Sequence, residues 1–471
     1  MSELNFLSAA CMAERIRRQQ ISPVELVEAH LSRIGELNPK LNAFVDIDCE
    51  GARRQARAAE AAVARGEEVG PLHGVPLSIK SSIDVAGMRC EAGSKLRAVY
   101  VASRDAPLVA RLRAAGAIIL GVTNAPELLM AWETDNLLYG RTNNPWDLAR
   151  TPGGSSGGES AAIASGCSAG GVGSDGGGSI REPAHFTGIC GLKPTPGRIP
   201  CTGHFPVSAG PFVRLGVVGP MARTVADLKL LFEVMQGPDD GDPSAAPVLL
   251  RRPTKEQLKN LCIGFFEDDG RTPVTPETRA AVCAAAEGLR RAGFRVEHFR
   301  PEGLEQAREL WWKFFGIAGG MLLRPMFAGR EAELSPVLKQ FSSWVASEPV
   351  HTGQSLLDAW VESDLLRLKV LAELRDYPIL LCPVAAIPAF RHGERSWKIE
   401  GREVQYLDAW SYTAWFNLLG MPAAVVPAGQ SPEGLPIGVQ IAGLPWQEEM
   451  VLEVAAALEA QSQGWRRPPE L

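Results

Sequence analysis

The chain has 471 residues, 45% of them hydrophobic and 22% charged, a balance that supplies a large buried core and excludes fibrous and wholly disordered classes. Forty-eight Lys and Arg against 54 Asp and Glu leave a net charge of −6, which gives no electrostatic footprint for nucleic acid. Nine Cys without a C-x-x-C pair and seven scattered His point to a reducing compartment, no metal site and no cofactor.

In chain order, residues 1–20 hold Glu3, Glu14 and three Arg without an apolar h-region, unlike a secretory leader. Residues 22–66 read as helical, opened by Ser22 as N-cap and Pro23 at the first helical position. The Ala- and Arg-rich run 52–65 forms a second helix in that stretch. The apolar runs Val75 to Ile79 and Ala117 to Val122 fit buried strands, with a helix over 108–115 between them. Further on the pattern gives a short helix at 159–165, a helix at 223–236, a loop at about 237–255, a strand at 261–266 and a helix at 276–292. Strands at 378–384 and 422–427 follow. Strands alternating with helices specify an α/β sheet. The longest uncharged stretch of the C-terminal half, 409–430, is broken by Asn417, Pro422 and Pro427 and does not suit a bilayer span. The expected setting is the cytoplasm, with no transmembrane anchor.

Glycine is concentrated in one place: 11 of the 30 residues from Thr151 to Ile180 are Gly and seven are Ser. Such density means positive φ or close approach of backbone to something, as in a nest of N–H groups facing an anion. Gly171 to Gly176 matches G-x-G-x-x-G, but the preceding segment reads as helix where a dinucleotide fingerprint needs a strand, and no Gly-Lys-Ser/Thr of a P-loop follows. Gly153 to Gly157 matches G-x-S-x-G, yet the polar, Pro-containing residues 143–152 before it are not the strand of a nucleophile elbow. A third explanation is two serines, one in each glycine cluster, acting with a lysine.

Gly153-Gly154-Ser155-Ser156-Gly157-Gly158 followed by Gly173-Ser174-Asp175-Gly176-Gly177-Gly178-Ser179-Ile180-Arg181-Glu182-Pro183-Ala184 resembles the amidase signature family. Gly74-Val75-Pro76-Leu77-Ser78-Ile79-Lys80, Gly188-Ile189-Cys190-Gly191-Leu192-Lys193-Pro194-Thr195, Gly219-Pro220-Met221-Ala222-Arg223 and Leu435-Pro436-Ile437-Gly438-Val439-Gln440 extend the likeness over most of the chain. Glu133, Asn143-Asn144-Pro145-Trp146 and Phe265-Phe266-Glu267-Asp268-Asp269 are most similar to the fatty acid amide hydrolase branch.

The resemblance implies a large mixed central β-sheet covered by helices on both faces. Residues 1–70 would be an N-terminal helical segment packed on a catalytic domain, 71–471, whose variable subregion is about 237–350. It implies Ser179 as nucleophile, Ser155 in a cis peptide as bridging serine, Lys80 as base, and backbone N–H groups of Gly176, Gly177, Gly178 and Ser179 as oxyanion hole. The chemistry is sound on its own terms. A serine hydroxyl needs a neighbour to take its proton, and a lysine does so only when neutral, hence buried among groups such as Val75, Leu77 and Ile79. As turn residues among glycines, Ser155 and Ser179 would need no chemistry. Asp175 and Arg181 read as a structural ion pair, and Ser156 as a supporting hydrogen-bond donor or a turn residue. Many family members carry Asp after the lysine, where this chain has Ser81.

The run Trp311, Trp312, Phe314, Phe315, Ile317, Met321, Leu322, Leu323, Met326, Phe327 reads as the wall of an apolar channel, a lid, or a buried core helix. Leu129, Met130, Ala131 and Trp132 are pocket candidates by similarity. The expected protein is a soluble hydrolase, monomer or homodimer, that cleaves small-molecule amides, with carbamates, anilides and esters as further substrates. The alternative is a glutaminase similar to the glutamine-hydrolysing component of tRNA-dependent amidotransferases, working beside a partner. A non-enzymatic binding protein of the same fold is a third reading, disfavoured because all three catalytic positions are filled.

Overall fold

The computed structural model describes residues 3–471 and wraps them about a single large sheet. Its strands are β1 (Phe44–Ile47), β2 (Pro76–Lys80), β3 (Ile118–Thr123), β4 (Gly170–Asp175), β5 (Cys190–Lys193), β6 (Val217–Ala222), β7 (Cys262–Phe265), β8 (Arg295–His298) and β9 (Ile379–Pro383). After the separate hairpin β10 (Ser396–Ile399) and β11 (Arg402–Gln405) come β12 (Ala423–Gln430) and β13 (Pro436–Gly443). The 11 sheet strands lie in the order β1-β3-β2-β4-β6-β5-β12-β13-β9-β7-β8. Parallel pairing joins β3, β2 and β4 on one side and β9, β7 and β8 on the other, with antiparallel pairs between and at β1. The sheet is therefore mixed.

Every residue of β2, β3, β4, β6, β9 and β13 is buried, which requires helices on both faces. Alternation along β9 shows the two sides: Ile379 and Leu381 join a core with the helices Pro107–Ala114, Val225–Met235, Pro276–Arg291 and Glu448–Gln461. Leu380 and Cys382 join a second, aromatic core with Trp311, Phe314, Trp410 and Trp415.

The strands expected at 75–79, 117–122, 261–266, 378–384 and 422–427 are β2, β3, β7, β9 and β12, and the expected helices form within a few residues of their sequence limits. Residues 236–254 form no helix or strand. One reading needs correction. The stretch 22–66 is not all helix: Pro23–Leu41 ends at Asn42 in the left-handed conformation, and β1 pairs with β3 before Asp48 caps the helix Cys49–Ala64. A four-residue strand between two strong helix signals has too short a period to stand out. Within the glycine-rich segment, residues 170–175 form the central strand β4. Packing decides this against propensity: a Cβ on Gly171 would lie 1.9 Å from Glu159 Oε1 and 2.3 Å from the Ser78 carbonyl oxygen, so only glycine admits those neighbours.

Candidate active site

Lys80 is the last residue of β2, and the parallel neighbour β4 ends at Ser174 and Asp175. Strand pairing thus brings the ends of two segments 94 residues apart to one spot, where the chain leading into the helix Gly157–Ala164 also arrives. Lys80 Nζ lies 2.7 Å from Ser155 Oγ, 3.0 Å from Ser156 Oγ and 3.0 Å from Ser174 Oγ. The Gly154–Ser155 peptide bond is cis. Glu182 Oε2 accepts from the Gly154 N–H at 3.0 Å, and burial pushes its carboxyl well above the usual range.

Lys80 is completely buried. Loss of hydration lowers its ammonium pKa well below the ordinary lysine value, against the opposing pull of the Asp175 and Glu159 charges. Those two carboxylates are the acidic groups acting on the lysine. Ser81, the departure from the family pattern, is held through its backbone: its N–H donates to the Thr123 carbonyl and its carbonyl accepts from the Ala92 N–H. Glu159 is held below the site by Ser78 Oγ at 2.6 Å and Thr123 Oγ1 at 2.7 Å, and its burial raises its pKa to about 7.

The glycine turn after β4 is pinned from behind. Burial would raise the Asp175 carboxyl, but it stays well below the usual range because Arg181 and Lys193 supply positive charge and backbone amides donate to it. Its oxygens accept from Arg181 Nε and Nη2 at 3.0 Å each, Asn417 Nδ2 at 3.0 Å and the Gly178 N–H at 2.7 Å. Arg181 continues to the Thr413 carbonyl and Gln440 Oε1. Trp311 Nε1 donates to the Gly176 carbonyl at 2.8 Å; Trp132 Nε1 and Thr413 Oγ1 donate to that of Gly177 at 3.0 and 2.9 Å. With those carbonyls turned outward, the N–H groups of Gly176, Gly177 and Ser179 have no protein acceptor among the described residues. Gly178 departs from the expected set of oxyanion donors, because its N–H is already used by Asp175.

Two cavities meet at Ser179. The larger is lined by Ser155, Ser174, Gly176, Ser179, His204 and Phe212 among others. The smaller is lined by Ala131, Trp132, Gly177, Trp312, Phe341 and Trp344. Leu129, Met130 and Phe315 face both. Of the pocket candidates, Trp311 stands behind the glycine turn, stacked on Phe315 at 4.7 Å, and Phe314 packs against Trp360 away from both cavities. Met321, Leu322 and Met326 are exposed, so the apolar run divides among site, core and surface. Sequence reasoning missed His204, Phe341 and Trp344, which lie outside the motifs, and gave no role to Ser174 and Glu159, which lie inside the glycine-rich segment.

No helix among the described residues is long and apolar enough to cross a membrane. The Amidase family pattern matches residues 25–452. The chain is 36% identical to an indoleacetamide hydrolase of Bradyrhizobium diazoefficiens, over 96% of this chain and 86% of that protein. It is also 36% identical to an acylamidase of Rhodococcus erythropolis, over 97% and 96%. A solved bacterial aryl acylamidase of the amidase signature enzymes superposes with a TM-score of 0.85 at 29% identity, covering 98% of this chain and 97% of that one. Matched along nearly its whole length in sequence and in fold, the chain belongs to the amidase signature family and is an amidase.

Proposed function

We propose that the protein hydrolyses amides through an acyl-enzyme on Ser179, with Ser155 passing the proton to Lys80. The observation that carries this reading is a fully buried lysine whose partners are three serine hydroxyls. A neutral amine has two N–H donors and one lone pair. If the N–H groups go to Ser156 and Ser174, the lone pair remains for the Ser155 proton at the shortest of the three distances. Ser155 can then take the proton of Ser179, whose hydroxyl has no hydrogen-bond partner among the described residues and lines both cavities. The free N–H groups of Gly176, Gly177 and Ser179 suit the oxyanion of the tetrahedral intermediate, where one donor is commonly worth about 10²–10³ in rate. Esters and carbamates fit the same route. The aromatic cavity favours apolar acyl or aryl groups.

The glutaminase reading is disfavoured by the lining of the site. Asp175 is the one acidic or basic side chain, histidine aside, among the residues lining the two cavities, and Arg181 already consumes it. Nothing is left there to grip the ammonium and carboxylate of glutamine. Incubated alone with an aryl anilide and a fluorophosphonate, the protein is expected to turn over the first and be labelled by the second at Ser179. Labelling at Ser155 would reverse the two roles, and activity appearing only beside a partner protein would overturn the reading.

A further inference from the structure

His204 belongs to none of the motifs above. It forms an isolated bridge with Ile83, three residues beyond Lys80, and walls the larger cavity together with Ser155 and Ser179. Its Nδ1 lies 2.9 Å from the Pro206 carbonyl oxygen. A carbonyl only accepts, so the proton of the neutral ring resides on Nδ1, and Nε2 keeps a bare lone pair. Nε2 is buried and has no hydrogen-bond partner among the described residues. A buried acceptor without a donor is costly, and its ring belongs to the wall of the larger cavity.

Ser155 decides which half of a substrate comes to this side. When the tetrahedral intermediate collapses, the C–N bond breaks and the nitrogen takes a proton from the Ser155 hydroxyl, which the Lys80 ammonium resupplies. Ser155 lines the larger cavity and not the aromatic one. The amine therefore departs on the His204 side, and the acyl group occupies the aromatic side.

We propose that His204 Nε2 accepts a hydrogen bond from the N–H of the scissile amide, selecting primary and secondary amides and anilides over esters and tertiary amides. The proposal rests on the acyl-enzyme reading above. As the carbonyl carbon becomes tetrahedral, an N–H held at Nε2 leaves the new nitrogen lone pair turned to Ser155. His204 binds and orients without exchanging a proton: burial pulls its imidazole down to about 4, and the Lys80 charge acts in the same direction, so Nε2 remains an acceptor at neutral pH.

The test compares kcat/KM, which reports acylation, for a nitroanilide and a nitrophenyl ester of one acyl group. In His204→Phe the anilide-to-ester ratio is expected to fall at least tenfold, whereas His204→Gln, which can offer Oε1 at the same place, keeps most of the wild-type ratio. Losses equal for the two substrates in both variants would overturn the proposal. Should His204→Phe fail to fold, the wild-type enzyme decides: an anilide preferred at least tenfold over its N-methyl derivative supports the assignment, and equal turnover refutes it. Ser179→Ala is the separate check on the underlying reading. If that variant retains hydrolysis of both substrates, the acyl-enzyme at Ser179 fails, whatever the His204 ratio.

Discussion

Burying an ammonium costs several kcal/mol that three neutral hydroxyls do not return, and Lys80 gives up its proton far more readily than a surface lysine for that reason. The kcat/KM of the enzyme is accordingly expected to rise with pH as Lys80 becomes neutral, then level off. Lys80→Ala should lower it by about 10²–10⁴-fold and abolish that limb in a pH-rate profile; a limb that persists would remove Lys80 as the base. Lys193 gives an independent check on buried amines. Burial and the nearby Arg181 charge bring it to about 7, against the pull of Asp175 and Glu448. Its folded value lies below its unfolded value of 10.5, so between pH 7 and 10.5 the unfolded chain binds more protons. The contribution of this group to stability therefore grows as pH rises through that window. Lys193→Met is expected to flatten the rise, measured by chemical denaturation at several pH values.

Elements position these groups, and the glycine turn after β4 is the most constrained of them. A Cβ on Gly177 would stand 2.3 Å from Trp311 Cζ2, and one on Gly176 2.9 Å from Phe315 Cε2. Gly177→Ala is therefore expected to cost about 1–3 kcal/mol from overpacking and roughly 10²-fold or more in kcat through displaced oxyanion donors, seen in thermal melts and steady-state rates. Beneath the turn, Glu159 ties β2 to β3 through Ser78 and Thr123 and favours the Lys80 ammonium. Glu159→Gln removes that charge, so the rising limb of the pH-rate profile should move to lower pH; a limb that stays in place would show that Glu159 only packs. Much of this was legible from contiguous residues. Lys80, Ser155 and Ser179 stand in local motifs, and glycine density announced the turn. Ser174 was not, because its contact with Lys80 arises from the parallel pairing of β2 and β4. Nor could composition divide the 311–327 run: helical direction sends Trp312 and Phe315 to the site, Phe314 to Trp360, and Met321 to solvent.

At the scale of the whole molecule, the glycine turn after β4 is held by segments that meet only when the sheet is complete. Arg181, fully buried, joins Asp175 of β4 to Asn417 and Thr413 on the helix Ser411–Leu418 and to Gln440 of β13, residues more than 230 positions away in sequence. Gln440 in turn donates to the carbonyls of Pro383 in β9 and Tyr412. A single network thus ties β4 to β9, β13 and the helix Ser411–Leu418, and the shape of the glycine turn depends on global folding. Replacing one member of a buried ion pair leaves the other charge without compensation, at about 3–5 kcal/mol. Arg181→Met is expected to incur that loss. In the wild type the depressed Asp175 carboxyl contributes stability above pH 4 that is lost as pH falls through its folded value. In Arg181→Met the desolvated carboxyl, deprived of its main counter-charge, should titrate higher, and this contribution should shrink or reverse sign near neutrality. Denaturation across pH would show the variant approaching wild-type stability in acid and falling furthest behind it at pH 7. Equal deficits at both would mean that Arg181 acts through packing, while its place in the turn would still show as slower fluorophosphonate labelling of Ser179.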